Sequence, residues 1–190
     1  MNLLNLITHL NKQNGQLEPY TNKTVRKLSD MKNFYYNRNA VEEILAKEDP
    51  IIYEVYAVEV STEEGNLSFA TTVLYPGKVG DEYYMTKGHY HSKRNRAEVY
   101  LCISGNGRMV LQDENGNVIV TKFDPDDIVY VPPYYAHRTV NVGNKPLIFL
   151  AIYPSDAGHD YGTIEEKGFR KIIIEKNGKP AVIDNPRFCK

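Results

Sequence analysis

The sequence predicts a mainly β chain, closed as a small barrel or stacked as a jelly roll, with a short helical extension at the N-terminus and a hairpin at the C-terminus. Two observations predict it. From Ile51 onward, apolar and aromatic runs of strand length are punctuated by turn residues, the signature of many short antiparallel strands. Asn115-Gly116 and Asn177-Gly178 each supply the pair that tolerates the positive φ of a two-residue hairpin turn. So many strands in a chain of 190 residues must close or stack to limit exposed edges.

The N-terminal stretch from Met1 to Gly15 carries Leu3, Leu4, Leu6, Ile7 and Leu10 interrupted by Asn2, Asn5 and His9. It reads as a short amphipathic helix or arm with His9 solvated; no small-residue cleavage site marks it as a secretion signal. Asn39 is a candidate cap for a helix over 40–48, with Glu42 closing a capping box and Pro50 barring continuation. The strand runs that follow are Ile51 to Val60, Leu67 to Tyr75, Ala97 to Ile103, Met109 to Gln112, Val118 to Lys122, Ile128 to Val131, Thr139 to Val142 and Leu147 to Tyr153. Asn115-Gly116 joins the fourth and fifth. Lys171 to Glu175 and Ala181 to Asp184 flank Asn177-Gly178 as the terminal hairpin. The expected organisation is one domain over 1–190: an extension over 1–50, a barrel core over 51–155, and a loop and hairpin over 156–190.

Lys and Arg number 23 against 24 Asp and Glu, a net charge of -1, so no general electrostatic pull toward nucleic acid or an anionic membrane exists. No DNA-binding helix pattern accompanies the strands. No segment reaches the roughly 18 apolar residues of a membrane span. The partner expected is a small soluble molecule. Cys102 lies in an apolar strand pattern and Cys189 is penultimate, which implies no disulfide framework and fits a reducing cytoplasm.

The chemistry lies in the histidines. Three of the five fall in two short motifs. In Gly88-His89-Tyr90-His91, residues two apart on an extended chain project to the same side. Glu98, Tyr100 and Cys102 share one face of the next strand, where Glu98 can meet both imidazoles. His137 follows the rigid Pro132-Pro133 turn. Three imidazoles and a carboxylate suit iron, manganese, cobalt, nickel or zinc, with positions left open for water or substrate. A carboxylate buried on an apolar strand is costly unless a cation or hydrogen bonds compensate it.

At these positions the chain resembles the cupin superfamily: His89-x-His91, Glu98-x6-Gly105 and Pro132-x4-His137-x3-Asn141 match its two motifs. Six residues separate His91 from Glu98 where the motif has three or four, and Asp126 and Tyr134 stand where it has glycine. Over Phe69 to Gly77, Thr86 to His91, Arg96 to Tyr100, Tyr130 to Asn141 and Phe149 to Gly162, the chain is more closely similar to the archaeal cupin-type glucose-6-phosphate isomerase family, from about Val25 onward.

That resemblance implies interconversion of glucose 6-phosphate and fructose 6-phosphate by a cytoplasmic homodimer. It implies one divalent transition metal per subunit, Fe2+ first among Ni2+, Mn2+, Co2+ and Zn2+, held by His89, His91, Glu98 and His137. An ion that ligates O1 and O2 can hold a cis-enediol in place, with Glu98 as proton shuttle; a metal-assisted hydride shift is the other route. Glu98, His137, Tyr100 and His159 form the implied catalytic set. Tyr53, Thr72, Thr86, the Gly88 amide and Tyr153 are implied around the phosphate, and Tyr161 at the sugar. Hydroxyl and amide donors can satisfy a phosphate without arginine. Another cupin enzyme, either an oxygenase or a mannose-6-phosphate isomerase, and a non-catalytic sugar-binding cupin are the alternatives.

Overall fold

The computed structural model describes residues 7–188. The first elements are β1 (His9–Leu10), β2 (Leu17–Glu18), β3 (Asn22–Lys27), α1 (Leu28–Met31), α2 (Arg38–Leu45), β4 (Ile51–Val58) and β5 (Leu67–Leu74). Then come β6 (Lys78–Val79), β7 (Glu82–Tyr83), β8 (Glu98–Ser104), β9 (Gly107–Gln112), β10 (Val118–Phe123), β11 (Ile128–Val131), β12 (Ala136–Asn141) and β13 (Leu147–Pro154). The chain closes with α3 (Gly162–Lys167), β14 (Lys171–Lys176) and β15 (Lys179–Asp184). Every strand run read from the sequence is present, with ends moved by up to three residues.

Three antiparallel sheets build the body: β11-β8-β13-β5-β4-β3, β10-β9-β12 and β15-β14-β7-β6. Their hydrogen bonds do not close into one continuous barrel, which leaves the jelly-roll form of the expectation. The six-stranded sheet supplies the floor of the site. Across it the register runs Phe149, Thr72, Val55, Thr24 in one row and Leu147, Leu74, Tyr53, Arg26 in the next. Because strand side chains alternate, each row points to one face, and these rows face the β9–β12 sheet. Tyr100, Phe123 and Phe149 pack edge-on and tilted, at centroid separations of 6.4, 5.5 and 5.7 Å. They fill the closed end of the fold.

The opposite face of this sheet receives the N-terminal segment. Leu17 packs on Tyr56, Val73 and Ile148, and the Thr71 hydroxyl donates to the Gly15 carbonyl. The amphipathic helix expected over the first fifteen residues is absent where the chain is described, since His9–Leu10 pairs with Leu17–Glu18 as a strand. Leu3, Leu4 and Leu6 lie outside the described residues, as does Cys189. Asn37, not Asn39, caps the helix, its side chain accepting from the Ala40 amide at 3.1 Å. That starts the helix at Arg38 and ends it at Leu45, earlier than the pattern predicted.

The turns divide. Asn177 and Gly178 both have positive φ, 54° and 71°, and Lys176 pairs with Lys179 across them as a two-residue turn requires. At Asn115-Gly116 only Gly116 is left-handed, and the loop between Gln112 and Val118 spans five residues. The Asp113 carboxylate organises it by accepting from the amides of Asn115 and Asn117 at 2.9 and 2.8 Å.

Candidate metal centre

His89 reaches the site from a segment that touches β12 by single bridges, pairing with His137 while Tyr90 pairs with Asp160. His91 follows two residues on, Glu98 opens β8 and His137 stands second in β12. One ligand atom from each of the four lies within 4.8 Å of every other. Glu98 Oε2 is 3.1 Å from His91 Nε2 and 3.0 Å from His137 Nε2. His89 Nε2 is buried without a hydrogen-bond partner. Buried ring nitrogens without partners are costly, and a cation among them would meet all four groups at once. The His91 Nδ1 rests 2.9 Å from the Arg96 carbonyl, which fixes the tautomer that turns Nε2 inward as a ligand.

Burial alone would raise the Glu98 carboxyl, yet the charge of His137 and hydrogen bonds from His137 and His91 outweigh it and hold it down to about 2. Burial and its histidine neighbours press the pKa of His89 well below the ordinary value, which keeps a lone pair available. The donor set, three nitrogens and one oxygen around a common point, fits a divalent transition ion.

Above the four residues lies a pocket with a cavity of about 160 Å³. Every expected substrate contact lines it: Tyr53, Thr72, Thr86, Gly88, Tyr100, Tyr153, His159 and Tyr161. Tyr100 is fully enclosed, and burial with the nearby Glu98 charge raises its hydroxyl far above the usual tyrosine value. His159 stacks on Tyr161 with the rings at 8° and sits 4.5 Å from the His89 ring. Its outer edge is open to solvent at the mouth. Thr86 Oγ1 accepts from the Thr139 amide at 3.1 Å and lies 3.3 Å from the Thr139 hydroxyl. Gly88 has φ 72°, and a Cβ there would stand 2.6 Å from Phe169 and 2.9 Å from the His137 carbonyl. Only glycine fits so close to the ligand strand.

A family model described as glucose-6-phosphate isomerase (GPI) matches residues 25–187. The glucose-6-phosphate isomerase of Pyrococcus furiosus is 60% identical over 168 residues, 88% of this chain and 89% of its own. That of Pyrococcus abyssi is 59% identical over 170 residues, 90% of each chain. A putative glucose-6-phosphate isomerase 2 of Rhizobium meliloti is 35% identical over 91% of this chain and 86% of its own. The chain belongs to the glucose-6-phosphate isomerase family. Among solved structures, oxalate decarboxylase from Bacillus subtilis is 28% identical over 56% of this chain and 26% of its own, with a TM-score of 0.45; so partial a superposition transfers nothing.

Two departures from the wider cupin motif become intelligible in this isomerase-family chain. Asp126 and Tyr134, where the motif has glycine, keep the left-handed backbone at φ 72° and 70°. Each amide is held by a carbonyl, Asp126 by Cys102 and Tyr134 by Arg94, which offsets the cost of that conformation for a side-chain-bearing residue. The longer stretch between His91 and Glu98 docks the loop that carries His159 and Tyr161. There Ser92 and Lys93 donate to the carbonyls of Gly158 and Ala157. Arg94 donates to the His91 carbonyl at 2.7 Å and pairs with Asp160 at 2.6 Å.

The pocket also contains residues that the sequence reading missed: Asn22, Thr24, Arg26, Lys87 and Thr139 among them. Three come from β3, inside the segment read as an extension beyond the barrel. The polar alternation of Asn22, Thr24 and Arg26 was the available signal, a strand face turned toward a wet cavity. Behind Lys87, the enclosed Arg138 guanidinium donates through Nε and Nη2 to the Lys87 carbonyl at 3.2 and 2.6 Å and covers the Phe169 ring at 4.6 Å.

Proposed function

We propose that this protein is a metal-dependent aldose–ketose isomerase that interconverts glucose 6-phosphate and fructose 6-phosphate. One observation carries the reading: three imidazoles and an ionised, buried carboxylate converge at the base of a polar pocket in a chain of this family. When bound, a divalent ion supplies Lewis-acid polarisation of the sugar oxygens. The residues do the rest. Glu98 stands at the pocket floor, where its carboxylate can carry the proton between C1 and C2. Tyr100 is kept protonated by burial and can donate to an oxygen that gains charge. His159 and Tyr161 form a stacked wall at the mouth, placed to direct the sugar chain and limit water. Thr72, Thr86, the Gly88 amide, Tyr53 and Tyr153 form the cradle for the phosphate.

Ferrous iron is our proposed native ion, from a donor set that also accepts manganese, cobalt, nickel and zinc. We further propose one domain, a cytoplasmic location in keeping with the buried free thiol of Cys102, and a homodimer. Support for the dimer comes from the outer face of the six-stranded sheet. There Val99, Tyr130 and Ile152 fall in one cross-strand row and stay 37%, 58% and 39% exposed, an apolar strip of the kind that marks association.

The test is formation of glucose 6-phosphate from fructose 6-phosphate, read through NADP-linked glucose-6-phosphate dehydrogenase before and after chelation. Chelated protein is expected to be inactive and to recover on addition of a divalent ion. Glu98→Gln, close in shape but without charge, is expected to stay folded and lose turnover by at least about a hundredfold. Full activity in verified metal-free protein, or near-normal turnover of the Glu98→Gln variant, removes the mechanism.

A further inference from the structure

The segment that delivers His89 carries one residue more than the strand beside it. Thr86 donates its amide to the Thr139 carbonyl at 3.0 Å, and His89 and His137 each donate an amide to the other's carbonyl, at 3.2 and 3.1 Å. Between these rungs stand two residues on one side, Lys87 and Gly88, and Arg138 alone on the other. The isolated bridges carry the same shift, Met85 lying opposite Val140 but His89 opposite His137. This is a β-bulge, and Gly88 supplies its left-handed residue at φ 72°.

The bulge decides which side chains meet. His137 and Thr139 are two apart on β12 and line the pocket together, as a regular strand requires. Their partners His89 and Thr86 are three apart, a spacing that sends side chains to opposite faces of a regular strand. Both line the pocket nonetheless, because the extra residue restores the parity. A histidine of the candidate metal centre and a hydroxyl of the pocket wall thus share a face by virtue of the bulge.

Arg138 is placed to hold it. As the single residue opposite, it alternates with His137 and Thr139 and is buried, and it commits Nε and Nη2 to the Lys87 carbonyl at 3.2 and 2.6 Å. A bulge disrupts the ladder at this point, and the guanidinium fork supplies donors from a side chain in place of a strand amide. The buried Phe169 ring lies against the guanidinium, 4.6 Å from its carbon to the ring centre, and closes on Gly88, where an added Cβ would stand 2.6 Å from that ring. We infer that Arg138 is a positioning residue: by clamping the Lys87–Gly88 bulge it keeps His89 in the metal centre and Thr86 on the pocket wall in one register. The inference rests on the isomerase reading for its kinetic readout alone.

The experiment compares the parent with Arg138→Met, which keeps length without donors, Arg138→Lys, which keeps the charge and a donor, and Phe169→Leu, which removes the stacked ring. Amide hydrogen exchange over residues 85–89, Co2+ affinity by competition with a chromophoric chelator, and KM and kcat for fructose 6-phosphate at saturating metal are measured on folded protein. Arg138→Met is expected to speed exchange at Thr86 and His89 and to weaken Co2+ binding, each by about tenfold or more, and to raise KM by a similar factor. Arg138→Lys is expected to recover part of each loss, and Phe169→Leu to fall between Arg138→Met and the parent. A side chain that only filled the interior would lower the melting temperature and leave exchange at these two amides, Co2+ affinity and KM at their parent values; that result in folded Arg138→Met overturns the inference. Should Arg138→Met not fold, parent-like exchange and Co2+ affinity in both other variants overturn it. A parent without isomerase activity whose variants still show the faster exchange and weaker Co2+ binding removes the isomerase reading and keeps the clamp. An active parent whose variants match it in all three measurements does the reverse.

Discussion

Glu82 shows how one buried group can set a pH dependence. It is 1% exposed, Oε2 accepts from the Tyr36 amide at 3.0 Å, and Oε1 has no partner. Burial raises its pKa to about 7, against the pull of that amide and of Arg138. The folded-state value lies above the unfolded one, so the native protein holds this proton more tightly. Its favourable contribution is therefore complete below the unfolded value of about 4.3 and is lost as pH rises through the folded value, by roughly 3–4 kcal/mol. Glu82→Gln mimics the protonated form. It is expected to exceed the parent in stability by that amount at pH 8 and to match it near pH 4, as read by urea unfolding at both pH values. An equal difference at the two pH values would show that shape or packing, not ionisation, governs this position.

At the scale of elements, the loop from Ser92 to Ala97 acts as a strut. Arg94 joins the His91 carbonyl to Asp160, while Lys93 and Arg96 grip Asp156 from the other side. Arg94→Met, which keeps length but removes the fork, is expected to leave metal content intact. It should speed amide hydrogen exchange in residues 157–161 and lower kcat by about tenfold, because His159 loses its fixed place. Unchanged exchange over that stretch would show that the strut is dispensable. The strands were legible because inward and outward residues alternate clearly: Glu98, Tyr100 and Cys102 against Val99, Leu101 and Ile103. The four residues that converge were legible because histidine is scarce in this chain and two motifs hold three of them. The loop at Asn115-Gly116 was misread in length because Asp113, two residues earlier, offers a carboxylate that closes a wider turn. Asn37 outranked Asn39 as cap for a reason beyond local pattern, since it sits against Gly80, where an added Cβ would stand 3.2 Å from the Asn37 side-chain nitrogen. Arg26 and Lys87 were hidden because nothing local in a sequence tells which polar strand face looks into a cavity.

For the whole molecule, the two faces of the six-stranded sheet divide the work. The inner face is polar where it meets substrate; the outer face is apolar and is covered only in part by Gly15 to Leu17. Sedimentation is expected to find a dimer at micromolar concentration, and Tyr130→Glu, which puts a charge into the open strip, is expected to yield monomer. A parent protein that sediments as monomer would remove the homodimer. The same sheet has a second consequence. Its last strand, β3, hydrogen-bonds to β4 alone, and a strand held on one side opens at lower free energy than the strands between which the core is packed. Arg26 rides on that strand. Mild heating would thus loosen that wall of the pocket while Glu98 and His137, rooted in β8 and β12, stay in place, so the protein would lose its appetite for dilute substrate at temperatures where its chemistry is still intact.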